Sequence, residues 1–346
     1  MYPGLAIAEA LERGGVAKAD IVFFGGDRFE AEAVPGAGYD FVQVELVGLQ
    51  RSLTPANLRI PLVVKAAATT LAAEFGRRNV GAVVATGGYV TVPAGWAAHR
   101  VAVPFFIQEQ NAHAGVANRI MARWSVEAFT SFPATEGLPN GIHTGNPLRS
   151  MFVKFDRARL RREALERYGL RSDVPVLGVV GGSLGAGVLN DVVSALVGVW
   201  DGPDFQILHL TGKIHAETVA AQPNPRQIPW KVVPFEPAMD MFFAASDLLL
   251  ARAGGMVAEI TATGTPAILV PGEFGSKGHQ LASAQFVEKA GGAIIVSQDH
   301  VGEVPARVAE IIADAARLER MGRMSAALGR PRAADSIATR VMAAHA

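Results

Sequence analysis

The chain has 346 residues, with 32 basic and 32 acidic side chains, no cysteine, 50% hydrophobic residues and 18% charged ones. Balanced charge argues against a nucleic-acid binder, which needs a basic excess to displace counterions, and the lack of cysteine excludes disulfides, thiolate metal sites and cysteine nucleophiles. No apolar run approaches the about 20 residues of a membrane-spanning helix and Met1-Tyr2-Pro3 opens no basic leader, so the expectation is a soluble, cytoplasmic chain of two domains at roughly 150 residues each.

In chain order, the first element expected is a helix: Pro3 suits a first turn, Leu5, Ile7, Ala8 and Leu11 give an apolar stripe, and Gly14-Gly15 stops it. Strands are expected at 21–24, 41–44, 82–86, 104–107 and 128–130, with a long helix over 57–78. Gly145-Asn146-Pro147 breaks this series, and a charged helix at 156–168 leads into a second. Its strands are expected at 176–180, 205–210, 231–233, 247–250, 267–270 and 293–296, followed by a final helix over 333–344. Short β-branched runs alternating with Ala-rich helices are the sequence form of βαβ units, hence an α/β fold with parallel sheets.

Several clusters can carry chemistry. Gly181-Gly182-Ser183-Leu184-Gly185-Ala186 joins a buried strand to a helix; its glycines permit a tight turn, and N–H groups at a helix start suit a phosphate, with Ser183 adding a donor. A plain packing turn would use the same glycines. The stretch also spells G-x-S-x-G, and Asp247 and His279 follow in the order of a serine hydrolase triad, although no HGGG-type motif precedes it. From Arg252 to Glu259, Gly254 and Gly255 open a helix at Met256; Glu259 is placed either to accept both hydroxyls of a ribose or to act as a first-turn acid favoured by the dipole. His279 and Gln280 end a flexible loop, either as sugar-hydroxyl partners or as exposed helix-start residues. In the first half, Gly87-Gly88-Tyr89 and Glu109 to His113 follow strands, where ligands of open α/β sheets bind. Glu109 or Asn111 there either orients a hydroxyl or caps a turn. The eight histidines are scattered without metal-ligand spacing, and no G-x-G-x-x-G opens the chain, which weakens a dehydrogenase reading.

Taken in order and spacing, Tyr2 to Ala6, Asp27 to Glu30, Gly87 to Val90, Glu109-Gln110-Asn111, Gly145 to Arg149, Gly181 to Ala186, Arg252 to Glu259 and His279-Gln280 resemble one family over nearly the whole chain. It is the type B glycosyltransferase family that adds N-acetylglucosamine to the lipid-linked muramoyl-pentapeptide of bacterial cell-wall synthesis. The resemblance implies two Rossmann-like, doubly wound domains facing across a cleft (GT-B): residues 1–148 facing acceptor and membrane, 149–330 binding UDP-GlcNAc, and 331–346 a helix packing back toward the first. It implies inverting transfer from UDP-GlcNAc to the C4 hydroxyl of the MurNAc-pentapeptide of undecaprenyl-pyrophosphate lipid I, giving lipid II, by a peripheral protein at the cytoplasmic face of the plasma membrane. Neither cofactor nor metal is implied. Ser183 with Gly182 matches the donor diphosphate site, Arg149 and Arg252 match donor-side arginines beside Gly254, Gly255 and Met256, and Glu259 matches the ribose ligand. Glu236 matches a position whose backbone meets uracil, His279 and Gln280 fall at the donor sugar, and Asn111 matches a polar residue of the cleft.

Three departures from the family pattern stand out. Ser283 replaces an asparagine three residues beyond Gln280, the stretch 252–259 is one residue shorter, and the family's first strand and glycine-rich loop ending in histidine would lie before Tyr2. The histidine is a proposed base, leaving Glu109 and Asn111 as substitutes; the expectation is a start read at an internal methionine, or a fragment, poorly folded and inactive as written. A membrane-facing patch is expected at Leu62, Lys65, Phe75, Arg77 and Arg78, near Trp96 and Arg100, on an anionic leaflet; an ordinary core-facing helix with a basic edge is the competing view. Other functions consistent with the residues are a different GT-B UDP-sugar transferase with a lipid acceptor such as diacylglycerol, the hydrolase built on Ser183, Asp247 and His279, and a non-catalytic nucleotide-binding remnant.

Overall fold

The computed structural model describes the chain except Arg28, residues 45–59, Pro139, Ser183, Leu184, 273–277 and 345–346. The chain divides into two compact units, Met1–Val153 with Pro331–Ala346, and Lys154–Arg330.

The first unit runs α1 (Tyr2–Arg13), β1 (Val22–Gly25), α2 (Phe29–Gly36), β2 (Asp40–Gln43), α3 (Ile60–Arg77), β3 (Val83–Ala85), α4 (Thr91–Arg100), β4 (Phe105–Glu109), α5 (Val116–Met121), β5 (Glu127–Thr130), β6 (Ile142–His143) and α6 (Ser150–Val153). The second runs α7 (Arg157–Tyr168), β7 (Val176–Val180), α8 (Gly187–Val199), β8 (Gln206–Leu210), α9 (Ala216–Ala220), β9 (Trp230–Val233), α10 (Met239–Ala245), β10 (Leu248–Ala251), α11 (Met256–Thr263), β11 (Ala267–Leu269), α12 (His279–Lys289), β12 (Ala293–Ile295), α13 (Val304–Ile312) and α14 (Ala315–Ala327). The last helix, α15 (Ala333–Ala343), returns to the first unit.

In the first unit β4 is buried along its length, so its side chains alternate between two apolar layers. Phe105 and Ile107 pack with Leu71 and Phe75 of α3 and Ala97 of α4, while Phe106 packs with Ile7 of α1 and Ile337 and Val341 of α15. Exposed pairs Arg13–Asp335 at 2.5 Å and Arg340–Glu127 at 2.8 Å also tie α15 down, but such pairs contribute only about 0–1 kcal/mol each. The apolar contact is what holds the helix.

The parallel strands of this unit form two separate sheets, β1-β2 and β3-β4-β5-β6. Among the described residues β1 and β3 each pair along one edge only. A cavity of about 990 Å³ is lined by both, together with Gly4, Ile7 and Leu11 of α1.

The helix expected over 57–78 is seen as α3; residues 57–59 lie outside the described residues. Its Leu62 and Lys65 are exposed as expected, but two features of the patch need correction. Phe75 is 2% exposed, an edge-on neighbour of Phe24 at 5.4 Å in the core, because it shares the Leu71 face of the helix. Arg77 and Arg78 are neutralised within the protein: Arg77 pairs with Glu74 at 2.6 Å, and Arg78 with Asp40 at 2.5 Å and Glu74 at 3.1 Å. Their hydrogen bonds hold the Glu74 carboxyl down to about 2.

Phe75→Ala is therefore expected to cost about 3–5 kcal/mol in chemical denaturation, and Leu62→Ala less than about 0.5. In hydrogen exchange, amides of β1 and β3 should exchange faster than those of β7 and β10, which are paired on both sides.

Candidate functional site

The second unit is built on one parallel sheet ordered β12-β11-β10-β7-β8-β9. From β7 the chain steps outward to β8 and β9, then returns to the other side of β7 at β10. Strand order therefore reverses between β7 and β10, and the crevice beyond the carboxyl ends of two such strands is where open α/β sheets bind ligands. The register Leu248↔Leu177 through Ala251↔Val180 ends both strands level. Gly181-Gly182 and Arg252 to Gly255 consequently emerge side by side.

The turn after β7 closes with the Gly185 N–H donating to the Gly182 carbonyl at 2.9 Å. Gly182 and Gly185 have φ of +99° and +79°, and a Cβ on Gly185 would stand 2.0 Å from the Thr211 carbonyl oxygen. Only glycine fits a backbone pressed that closely against the end of β8. α8 begins after Ala186 and α11 after Gly255, and neither start carries a side-chain cap. Both positive dipole ends face a depression of about 520 Å³, lined by Gly182, Gly185, Arg252, Gly255, Met256 and Gln280 among others.

Arg252 is held in place at one side of this depression. Its Nη1 donates to the Val270 carbonyl at 3.1 Å and to Gln298 Oε1 at 2.6 Å, leaving the rest of the guanidinium for a ligand. Burial lowers its pKa from the usual guanidinium range. Gln280 is oriented by the Gly272 N–H, which donates to its Oε1 at 2.7 Å, so its Nε2 is the atom it can offer. Glu259 sits one turn into α11 and His279 opens α12. Ser283, the expected departure from the family pattern, turns its hydroxyl onto the His279 carbonyl at 2.9 Å, spending it within the helix.

Ser183 lies outside the described residues. The structure nevertheless rules out the hydrolase triad. Asp247 precedes β10 and its carboxylate accepts from the Val176 N–H at the start of β7, at 2.8 Å, and from Arg157 and Arg161 at 2.8 and 2.7 Å. Gly182, next to Ser183 in sequence, follows the far end of β7, whose four steps from Val176 to Val180 alone span roughly 13 Å at 3.3 Å per residue. Asp247 is a structural acid at the opposite edge of the sheet.

The Glu236 side chain is likewise structural. It is 5% exposed and accepts from Arg167 at 3.0 Å, Tyr168 Oη at 2.8 Å and its own turn at Ala238 N–H at 2.8 Å, so only its backbone remains for a base. Arg149 belongs to the first unit, with its guanidinium 5.7 Å over the Tyr2 ring. Glu109 and Asn111 also lie in the first unit, at the end of β4. Glu109 fails as a base: its carboxylate is 3% exposed and already takes four N–H donors.

Sequence reading missed the polar support behind the glycine turn. His209, fully buried in β8, contacts Asn190 Oδ1 of α8 through Nε2 at 3.0 Å and accepts from Trp230 Nε1 through Nδ1 at 3.3 Å. The indole can only donate, so Nδ1 accepts and Nε2 carries the proton. Asn190 Nδ2 then reaches the Thr211 carbonyl at 3.4 Å. The available signal was a histidine inside an otherwise apolar strand.

This depression at a strand-order reversal is the usual ligand position of an α/β sheet, and the fold is that of the GT-B glycosyltransferases. Residues 1–130 match the glycosyltransferase family 28 N-terminal domain and residues 176–337 the glycosyltransferase family 28 C-terminal domain. A protein of Nocardioides sp. named UDP-N-acetylglucosamine--N-acetylmuramyl-(pentapeptide) pyrophosphoryl-undecaprenol N-acetylglucosamine transferase is 38% identical, over 98% of this chain and 93% of its own. One of the same name from Acidothermus cellulolyticus is 35% identical over 97% and 92%. Among solved structures, Acinetobacter baumannii MurG superposes with a TM-score of 0.79 at 25% identity, covering 99% of this chain and 95% of that one. The Neisseria meningitidis UDP-GlcNAc 2-epimerase shares the fold alone, with a TM-score of 0.66 at 14% identity over 99% and 96%. The chain belongs to glycosyltransferase family 28.

Gly185→Ala should abolish activity while leaving the first unit folded, because the added carbon meets backbone that cannot yield; circular dichroism and a turnover assay check both halves. Burial lowers the His209 pKa from 6.5 to about 3. The unfolded state then binds a proton that the folded state refuses, so stability is lost as pH falls from about 6.5 toward 3, by up to about 1.4 kcal/mol per pH unit from this group. Denaturation midpoints at pH 7, 6, 5 and 4 should show that slope, flattened in His209→Gln.

Proposed function

We propose that this chain transfers N-acetylglucosamine from UDP-GlcNAc to the lipid-linked, pyrophosphoryl muramoyl-pentapeptide, the reaction its relatives' names describe. The observation that carries the reading is the convergence of two uncapped helix starts and Arg252 on one depression at the strand-order reversal. That arrangement suits a nucleoside diphosphate, whose negative charge grows as it departs.

In the reaction the acceptor's C4 hydroxyl oxygen attacks the anomeric carbon of the donor sugar. The bond from that carbon to the diphosphate oxygen breaks, its electron pair leaves with UDP, and the hydroxyl proton passes to a base, with inversion. The dipoles of α8 and α11 and the Arg252 guanidinium stabilise the departing charge, with no cofactor or metal required. Gly182, Gly254, Gly255 and Met256 shape the phosphate cradle, Glu259 holds the ribose diol, and the backbone at Glu236 meets the base. Gln280, through Nε2, and the neighbouring His279 serve the donor sugar. Ser183 contributes a hydroxyl to the diphosphate.

No helix among the described residues is long and apolar enough to cross a membrane. We infer peripheral attachment to the cytoplasmic face of the plasma membrane, through a surface other than the Phe75 face. Trp96 on α4 and Val116, Ile120 and Trp124 around α5 are exposed. Arg123 lies 4.9 Å over the Trp124 ring and His99 stacks on it at 5.7 Å. Exposed apolar groups among cations suit an anionic leaflet.

Arg252→Ala is expected to lower kcat/KM for UDP-GlcNAc by about 10²-fold in a UDP-release assay with a short-chain lipid acceptor; an unchanged value contradicts its role. Ile120→Ser with Trp124→Ala should reduce cosedimentation with vesicles containing phosphatidylglycerol, and wild-type binding should weaken with salt. Equal binding by both chains would refute this surface.

A further inference from the structure

At the end of β4 the buried Glu109 carboxylate collects a complete set of donors. Oε1 accepts from the Asn111 backbone N–H at 2.9 Å and from Asn111 Nδ2 at 3.0 Å. Oε2 accepts from the Gly115 N–H at 2.9 Å and from Asn118 Nδ2 at 2.8 Å. The Glu109 backbone carbonyl is fixed as well, accepting from the Ser131 N–H at 3.0 Å and its hydroxyl at 2.9 Å. The intervening Gln110 is anchored by its Nε2 on the Thr86 carbonyl at 2.8 Å. The loop from 109 to 118 is therefore wound around one carboxylate.

Two consequences follow from the donor inventory. A carboxylate holding four N–H groups would have to abandon some of them to take a proton, so Glu109 is unsuited to proton transfer. An ionised carboxylate also only accepts, so the amide facing it must be the NH₂ of Asn111. That orients the Asn111 amide oxygen away from Glu109 and makes the residue an acceptor toward any ligand.

We propose that Glu109 is a positioning residue that locks Asn111 with its amide oxygen outward, to receive a hydroxyl or amide N–H of a sugar substrate. This rests on the transferase reading above. The group it receives belongs either to the donor sugar or to the acceptor sugar, and kinetics separates the two. A flipped or mobile Asn111 would present N–H groups and fail to hold either one.

The test uses the full chain, UDP-GlcNAc, and a short-chain polyprenyl-diphosphoryl muramoyl-pentapeptide. Glu109→Gln leaves one acceptor oxygen for four N–H donors, so either the Asn111 pair or the Gly115 and Asn118 pair that holds its loop meets an NH₂ instead, and it is expected to lower kcat/KM at least tenfold while UDP affinity in calorimetry, read in the second unit, stays unchanged. A raised KM for UDP-GlcNAc assigns the donor sugar, and a raised KM for the lipid the acceptor sugar. The double variant Glu109→Gln with Asn111→Asp restores a hydrogen bond of opposite sense with an oxygen still facing outward, and should recover several-fold over Glu109→Gln alone. In ¹⁵N spectra the Asn111 side-chain amide should be a single, slowly exchanging signal in the wild type and lost or averaged in Glu109→Gln.

Near-normal kcat/KM in Glu109→Gln, or a double variant no better than the single, would overturn the proposal. So would a loss of activity that tracks only a fall in melting temperature. A wild-type chain that shows the slow Asn111 signal yet transfers no N-acetylglucosamine would instead defeat the transferase reading, and the substrate role of Asn111 with it.

Discussion

The parallel register between β7 and β10 is the constraint on which the site depends. Because Leu248 to Ala251 pair with Leu177 to Val180, two glycine-rich turns that are some 70 residues apart in sequence emerge at one edge of one sheet. A slip of one residue would turn the alternating apolar side chains of either strand to the wrong face. Burial of β7 and β10 along their whole length therefore fixes the two glycine-rich turns as firmly as it fixes the core. The opposite edge is secured by Asp247, whose carboxylate joins the start of β7 to two arginines of α7. Function and stability thus occupy opposite ends of the same pair of strands.

The second constraint is the way polar groups in the interior are used. His209, Asn190 and Trp230 form a fully partnered chain behind the glycine turn, and Glu109 gathers a loop in the first unit. In both places a buried polar atom is costly unless satisfied, so each network admits one arrangement of its loop. Rigidity of the two loops comes from these hydrogen-bonded groups as well as from the apolar core.

Much of the fold was legible because both-face-buried strands appear as short unbroken apolar runs. The strand expected at 176–180 is observed with those limits, and others shift by a residue or two. β6, only Ile142–His143, was missed because two residues give no pattern. The helix carrying Phe75 was legible, but its inward face was not: α3 has apolar residues on more than one side, and only packing on Phe24 shows which side is core. The glycine clusters were legible as tight turns at strand ends because the signal lies in adjacent residues. Asp247 and Glu109 were misjudged as available acids because their partners, Arg157 and Asn118, lie 90 and 9 residues away. A carboxylate in a motif and a carboxylate already satisfied look the same in one dimension.

The central claim, that the β7–β10 edge seats a uridine diphosphate, is tested most directly by mapping protection on ligand addition. Hydrogen-exchange mass spectrometry with UDP should slow exchange in peptides spanning Gly181 to Val188 and Arg252 to Glu259, with ADP at the same concentration giving little effect. Equal protection by ADP, or protection confined to other segments, would contradict the account.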